Sequence, residues 1–200
     1  MMSVLEELKA QIRQCRHCEE KFGYEPRPVV RGHENAPIMQ ISQAPGRKVH
    51  ESGIPFDDAS GAKLRHEWYQ IRDDQFYDED LFYITTVGHC YPGKAKSGDK
   101  KPPACCYGMW TEKEIGLKRN TKLYLVIGKE AADRIFGKER PFEQLVFEDQ
   151  QINGVKAFVL PHPSPLNRKW LKDHPEFESE RLPQIRQEIR KYVHNQQPCQ

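Results

Sequence analysis

Six cysteines stand in this 200-residue chain, at positions 15, 18, 90, 105, 106 and 199. Cys15 and Cys18 are close enough in sequence to chelate one centre, and Cys90 and Cys106 flank an irregular stretch that could bring them to it. Four thiolates in this pattern can hold a 4Fe-4S cluster or a tetrahedral zinc. In a reducing compartment, clustered thiols bind metal more often than they form disulfides. Cys105 competes with Cys106 for the fourth position, and Cys199 is not expected to ligate. With every position filled by protein sulfur, such a centre has no place for water or substrate, and so reads as structural or redox-active.

A second concentration of useful residue types runs over 43–61, QAPGRKVHESGIPFDDASG, directly after the apolar run PIMQIS. Gly46, Gly53 and Gly61 let backbone approach a ligand closely, while Pro45 and Pro55 stiffen the loop. A glycine-rich loop at the carboxyl end of a parallel strand is where open α/β sheets place their ligands. A third stretch, 91–104, carries Lys94, Lys96, Lys100 and Lys101 against one aspartate and reads as an arm able to contact phosphates. A fourth, Pro161-His162-Pro163-Ser164-Pro165, follows another apolar run.

Positioning these groups takes alternating elements. Ser3 with Glu6 forms a capping box for an amphipathic helix over 3–14 with Leu5, Leu8 and Ile12 on one face. Residues 22–37 read as irregular chain. Runs at 37–42, 81–87, 123–127, 145–147 and 155–160 read as strands, the last two joined through a tight turn at Asn153-Gly154. Ser60 is placed to cap a helix carrying Leu64, Trp68 and Ile71; a short helical turn is expected over 76–81 and a helix over 111–119. Gly128 precedes a helix with Ala131, Ala132, Ile135 and Phe136, and residues 177–193 close the chain with Leu182, Ile185, Ile189 and Val193 on an apolar face. Strands alternating with helices predict an α/β fold with a largely parallel sheet. The loops after Ser42, Val87 and Leu160 should then converge on one edge of it.

The 31 Lys and Arg against 29 Asp and Glu leave a net charge of only +2, so nucleic-acid binding must come from local clusters. The segment MMSVLEELKAQIRQ has charges every few residues and no apolar run of signal-peptide length, and nowhere is there an apolar run long enough to span a bilayer. The expectation is a soluble, cytoplasmic, single-domain protein over 1–200, with an N-terminal helix and Cys-x-x-Cys arm over 1–36 and a disordered tail over 194–200.

Three of these motifs together resemble the uracil-DNA glycosylase superfamily. QAPG followed by GIPFDDASG is similar to its first motif, commonly GEAPG and GxPFxGxxG; HPSPLN is similar to its second. Cys15, Cys18, Cys90 and Cys106 resemble the cluster ligands of its iron-sulfur branch, family 4, whose spacing favours Cys106 over Cys105. The resemblance spans residues 15–167 and implies a three-layer α/β/α fold around a four-stranded, mostly parallel sheet. It also implies a monofunctional glycosylase, acting as a monomer on DNA that carries uracil or another deaminated or modified base, with a 4Fe-4S cluster or, alternatively, structural zinc.

Carried over position by position, the resemblance implies that an exposed Phe56 stacks on the flipped base and that His162 donates a hydrogen bond to the base oxygen that gains charge. Gln43 would contact sugar and base, with Ala44 and Gly46 in the pocket wall. Leu166 would fill the gap in the base stack, Ser164 would grip phosphate, and Arg168, Lys169 and Lys96 would add phosphate contacts. Two departures stand out. Ala44 occupies the place of a water-activating Asp in one branch, and Val49-His50 lies where family 4 carries acidic residues; His50, Glu51, Asp57 or Asp58 could orient water instead, a choice that geometry and not sequence decides. Thr86 stands where family 4 has an Asn that reads the uracil edge, and a hydroxyl cannot reproduce a paired amide readout. Two other functions are compatible with the same residues: a catalytically silent DNA-binding module, and a zinc-stabilised interaction protein.

Overall fold

Five apolar or half-apolar runs form the sheet of the computed structural model, which describes residues 3–23 and 25–193. They are β1 (Ile38–Ser42), β2 (Phe82–Thr86), β3 (Leu123–Ile127), β4 (Gln150–Ile152) and β5 (Val155–Leu160). Their order across the sheet is β2-β1-β3-β5-β4. β1, β2, β3 and β5 run parallel, and only β4 is antiparallel, paired with β5. Every residue of β1, β2 and β3 is buried, as expected for strands covered on both faces by helices. The polar side chain at the centre of β1, Gln40, accepts a 2.8 Å hydrogen bond from the Tyr69 hydroxyl.

The expected four-stranded sheet is thus a five-stranded one. The difference lies in the segment before β5. Residues 145–147 belong to a helix, Phe142–Phe147, that buries Leu145 and Val146, and the edge strand is the next segment, Gln150–Ile152. The Asn153-Gly154 turn between β4 and β5 is present, with φ of 51° and 77°. A three-residue apolar run has no length with which to distinguish a strand from a helical turn.

The first helix, Val4–Arg13, begins as its capping residue requires: the Ser3 hydroxyl accepts from the Glu6 amide at 3.3 Å. Glu6 does not complete the box, because its carboxylate is held by the buried Lys9 at 2.7 Å. The helix after the first loop starts at Ala59–Ala62, capped by Asp58 and not Ser60, and continues as the π-wound segment Lys63–Tyr69, burying Leu64 and Trp68. The short helix predicted over 76–81 lies earlier, at Asp73–Phe76. Residues 104–117 wind continuously, starting before the predicted 111–119. Lys129–Phe136 and the closing Leu182–Val193 appear where expected, with Leu182, Ile185, Ile189 and Val193 buried. Residues 194–200, including Cys199 and the expected tail, lie outside the described residues. Among those described, no helix is long and apolar enough to cross a membrane.

The chain between the first helix and β1 is not loose. The Val29 amide donates to the His89 carbonyl at 2.9 Å, and Arg31 and Ile84 exchange a pair of backbone bonds at 3.0 and 2.7 Å. This arm therefore runs antiparallel along the outer edge of β2.

Candidate active site

Register brings the parallel strand ends level. Ser42 pairs with Thr86 and Ile127 with Leu160, so the loops that follow leave one edge. Backbone bonds stitch them: Val87 to the Ser42 carbonyl, Gly88 to the Gln43 carbonyl and Gly128 to the Leu160 carbonyl, at 2.8, 3.0 and 2.8 Å.

The first loop contains a helix that its sequence did not announce, Arg47–Ser52, bracketed by Gly46 at its start and by Gly53 in the left-handed conformation at its end. The glycine bracket was the available signal. His50 on this helix lies against Tyr91, ring centroids 6.0 Å apart, and burial followed by the nearby Arg27 cation lowers its pKa. The Glu51 side chain is 65% exposed and sits 3.7 Å from Arg47.

Phe56 is not the exposed ring expected. It is 9% exposed, packs edge-on against Phe76 at 6.0 Å and joins the core. Its φ of 58° is unusual for a bulky residue, and several contacts hold it there. Its carbonyl accepts from Arg65 at 2.9 Å, and the Tyr77 hydroxyl donates to the neighbouring Pro55 carbonyl at 3.1 Å. Asp58 accepts from the Gly61 amide at 2.7 Å as the helix cap, so one of its oxygens is committed to structure. Asp57 contributes to raising the pKa of Tyr77, behind the larger effects of burial and Arg65.

On the second loop, Thr86 is buried and donates its hydroxyl hydrogen to the Gly88 carbonyl at 3.0 Å. A base edge would therefore meet only its lone pairs, an acceptor. Beyond it the lysine-rich stretch folds into a hairpin: Lys100 donates to the Gly93 carbonyl at 2.8 Å and Ala95 to that of Gly98 at 3.1 Å. Lys101 pairs with Glu130 at 2.9 Å and Lys94 with Asp99 at 3.7 Å. Among the described residues Lys96 and Lys100 make no ion pair. The hairpin reaches both neighbouring loops. A Cβ on Gly46 would come within 3.9 Å of the Asp99 carboxylate, and one on Gly98 within 3.3 Å of Leu166.

The third loop presents His162, whose Nδ1 accepts from the Ser164 amide at 3.2 Å. Burial lowers the pKa of this histidine, and the Asp58 and Asp99 carboxylates nearby oppose the shift without reversing it. The ring is consequently neutral at neutral pH, with its one proton on Nε2. Asn167, whose role the sequence did not suggest although it closes HPSPLN, donates to the His162 carbonyl at 2.7 Å and fixes the turn. Leu166 is 70% exposed at its tip. Arg168 opens the helix Arg168–Asp173, and Lys169 pairs within it to Asp173. A cleft of about 560 Å³ adjoins His162 and Asn167, walled by Lys129, Lys138, Arg140 and Trp170.

Cys15, Cys18, Cys90 and Cys106 line a single cavity with Pro26, Pro28 and Trp110, whereas Cys105 is exposed and does not line it. Burial, then the thiolates of Cys106, Cys15 and Cys18, push the Cys90 pKa up to about 12. Four soft sulfur donors around one cavity are a donor set suited to iron or zinc. Among the described residues, however, no three His, Cys, Asp or Glu side chains are grouped closely enough to hold a single ion. A buried network not evident in the sequence backs this cavity. The His89 amide donates to the Cys106 sulfur at 3.4 Å, while its Nε2 lies 2.9 Å from Glu114, which also accepts from Tyr83 and Thr85 at 2.7 and 2.9 Å. Burial disfavours charge on His89, but Glu114 and Cys106 outweigh it and push its pKa up to about 10.

A family profile described as the uracil DNA glycosylase superfamily matches residues 29–186. The type-5 uracil-DNA glycosylase of Thermus thermophilus is 32% identical over 123 residues, which cover 56% of this chain and 55% of that protein. The chain thus spans about half the length of this curated relative.

Proposed function

Because the chain belongs to the uracil-DNA glycosylase superfamily, we propose that it is a monofunctional DNA glycosylase. It hydrolyses the N-glycosidic bond of uracil or another deaminated or modified base flipped out of DNA, leaving an abasic site. The observation that carries this reading is the neutral His162, held with its proton on Nε2 where the three loops meet. Bond cleavage leaves negative charge on the departing base, and a fixed N–H aimed at that charge stabilises the transition state more than the ground state. Phe56, seated against Phe76, braces the floor of the base pocket, and Gln43, Ala44 and Gly46 form the wall beside it. Thr86 accepts from a base N–H. Leu166 fills the vacated stack, and Ser164, Lys96 and Arg168 hold phosphates on either side.

Lys96 and Lys100 supply a test of the phosphate contacts. Replacing both by alanine should weaken binding to all DNA sequences alike and reduce the slope of log affinity against log salt by about 0.9 per lost contact. A slope unchanged in fluorescence-anisotropy titrations between 50 mM and 200 mM salt rejects their role.

Cys15, Cys18, Cys90 and Cys106 would hold a 4Fe-4S cluster, which ties the N-terminal arm to the segment that follows β2. Four thiols lining one cavity are the observation that supports a sulfur-held centre there. Anaerobically purified protein should contain about four irons and as many labile sulfides per chain, and Cys90→Ser should lose both. Zinc in place of iron would overturn this assignment.

The function is tested by base release from oligonucleotides carrying uracil, hypoxanthine, xanthine or modified cytosine, at enzyme excess, with Phe56→Ala and His162→Ala as controls. The absence of a carboxylate at Ala44 favours one competing reading, a catalytically silent module that binds lesions. It predicts salt-sensitive binding with no base released from any substrate.

A further inference from the structure

The first motif lacks an acid at Ala44, yet a carboxylate from another loop stands beside it. Asp99 comes from the hairpin that follows β2, and its Oδ2 lies 3.9 Å from where a Cβ on Gly46 would sit. Its other oxygen is oriented from within the hairpin, 3.5 Å from the Tyr91 hydroxyl and 3.7 Å from Lys94 Nζ. The side chain is 36% exposed, so water reaches it. On the far side the same hairpin touches Leu166, which places Asp99 between the first motif and the His162 loop. The other acids are less suited: Asp58 caps a helix through Gly61, and Glu51 is 65% exposed beside Arg47.

We propose that Asp99 is the residue that orients and deprotonates the attacking water, supplying from another loop the carboxylate missing at Ala44; this rests on the glycosylase reading above. The water oxygen bonds to the sugar C1′ as the C1′–N bond breaks, and the bonding pair leaves with the base as an anion opposite His162. The water proton passes to Asp99 and then to solvent, and the base anion takes its proton from solvent. A residue that served only to staple the hairpin would make the same contacts with Tyr91 and Lys94 but would have no use for a second oxygen near Gly46.

The test uses the lesion substrate that the wild-type protein cleaves. Asp99→Asn and Asp99→Ala should lower the single-turnover rate about 100-fold or more while changing lesion-DNA affinity less than about threefold. Asp99→Glu should recover most of the loss, and added formate should restore part of the rate to Asp99→Ala but not to Asp99→Asn. Cleavage by Asp99→Asn within about threefold of wild type, or an Asp99→Ala rate that formate does not raise, overturns the assignment while leaving the glycosylase reading intact. Failure of the wild-type protein to release any base removes both.

Discussion

Alanine at position 162 is expected to slow single-turnover base release by about 100- to 1,000-fold, the usual loss when one preorganised donor to a developing anion is removed. Affinity for lesion DNA should change little, because the donor meets full charge only as the glycosidic bond breaks. The local geometry prepares this donor in advance. The Ser164 amide holds Nδ1 as an acceptor and Asn167 anchors the His162 carbonyl, so both tautomer and loop position are set before substrate arrives. The lowered pKa adds a pH signature. Unfolded chain takes up a proton at the ordinary histidine pKa of about 6.5, whereas the folded ring resists it. Stability linked to this group is therefore complete above that pH and declines as pH falls towards the folded value. Protonating Nδ1 also breaks the contact with Ser164, so activity should fall on the same acid side. A decrease of less than about tenfold in His162→Ala would show that the leaving base is stabilised elsewhere.

A methyl group at Gly61 is expected to cost about 3 kcal/mol of stability, at the upper end of what overpacking does. A Cβ there would lie 1.8 Å from the Phe56 carbonyl oxygen and 2.7 Å from the Phe56 Cβ. Backbone cannot swing away as a flexible side chain can. That carbonyl is already bound by Arg65, whose Nε is held 2.6 Å from Asp73, and Phe56 itself sits at a positive φ. The strain of the whole turn thus concentrates on one residue pair. Urea denaturation of Gly61→Ala should show a lower midpoint, and base release should fall as Phe56 leaves its seat. A midpoint unchanged from wild type would mean that the turn yields easily, contrary to the packing described.

Most of the sheet was legible because its parallel strands are buried on both faces and read as unbroken apolar runs, LYLVI above all. The convergence of the three loops followed from the same runs, since parallel strands bring their carboxyl ends to one side. What escaped was decided by tertiary packing. Leu145–Val146 could serve a strand or a helix, and burial under β5 chose the helix. Ser60 and Asp58 are both good caps, and only the turn set by Phe56 and Gly61 picks Asp58. Phe56 read as an exposed ring because its motif lies in a loop, while the left-handed turn folds the ring back onto Phe76. Asp99 was invisible as a site residue: nothing local indicates that a lysine-rich segment will close as a hairpin against Gly46.

The arm that pairs Arg31 with Ile84 has a further consequence. A parallel sheet ends in outer strands whose unpaired amides and carbonyls invite another chain to add on, a route to aggregation. Here the β4 side ends in a strand of only three residues, and the β2 side is covered by the segment that joins the cysteine pair to the sheet. If the cysteines hold their cluster, its loss would do more than discolour the protein. It would loosen the cover from an otherwise open strand, and oxidative damage would register first as self-association.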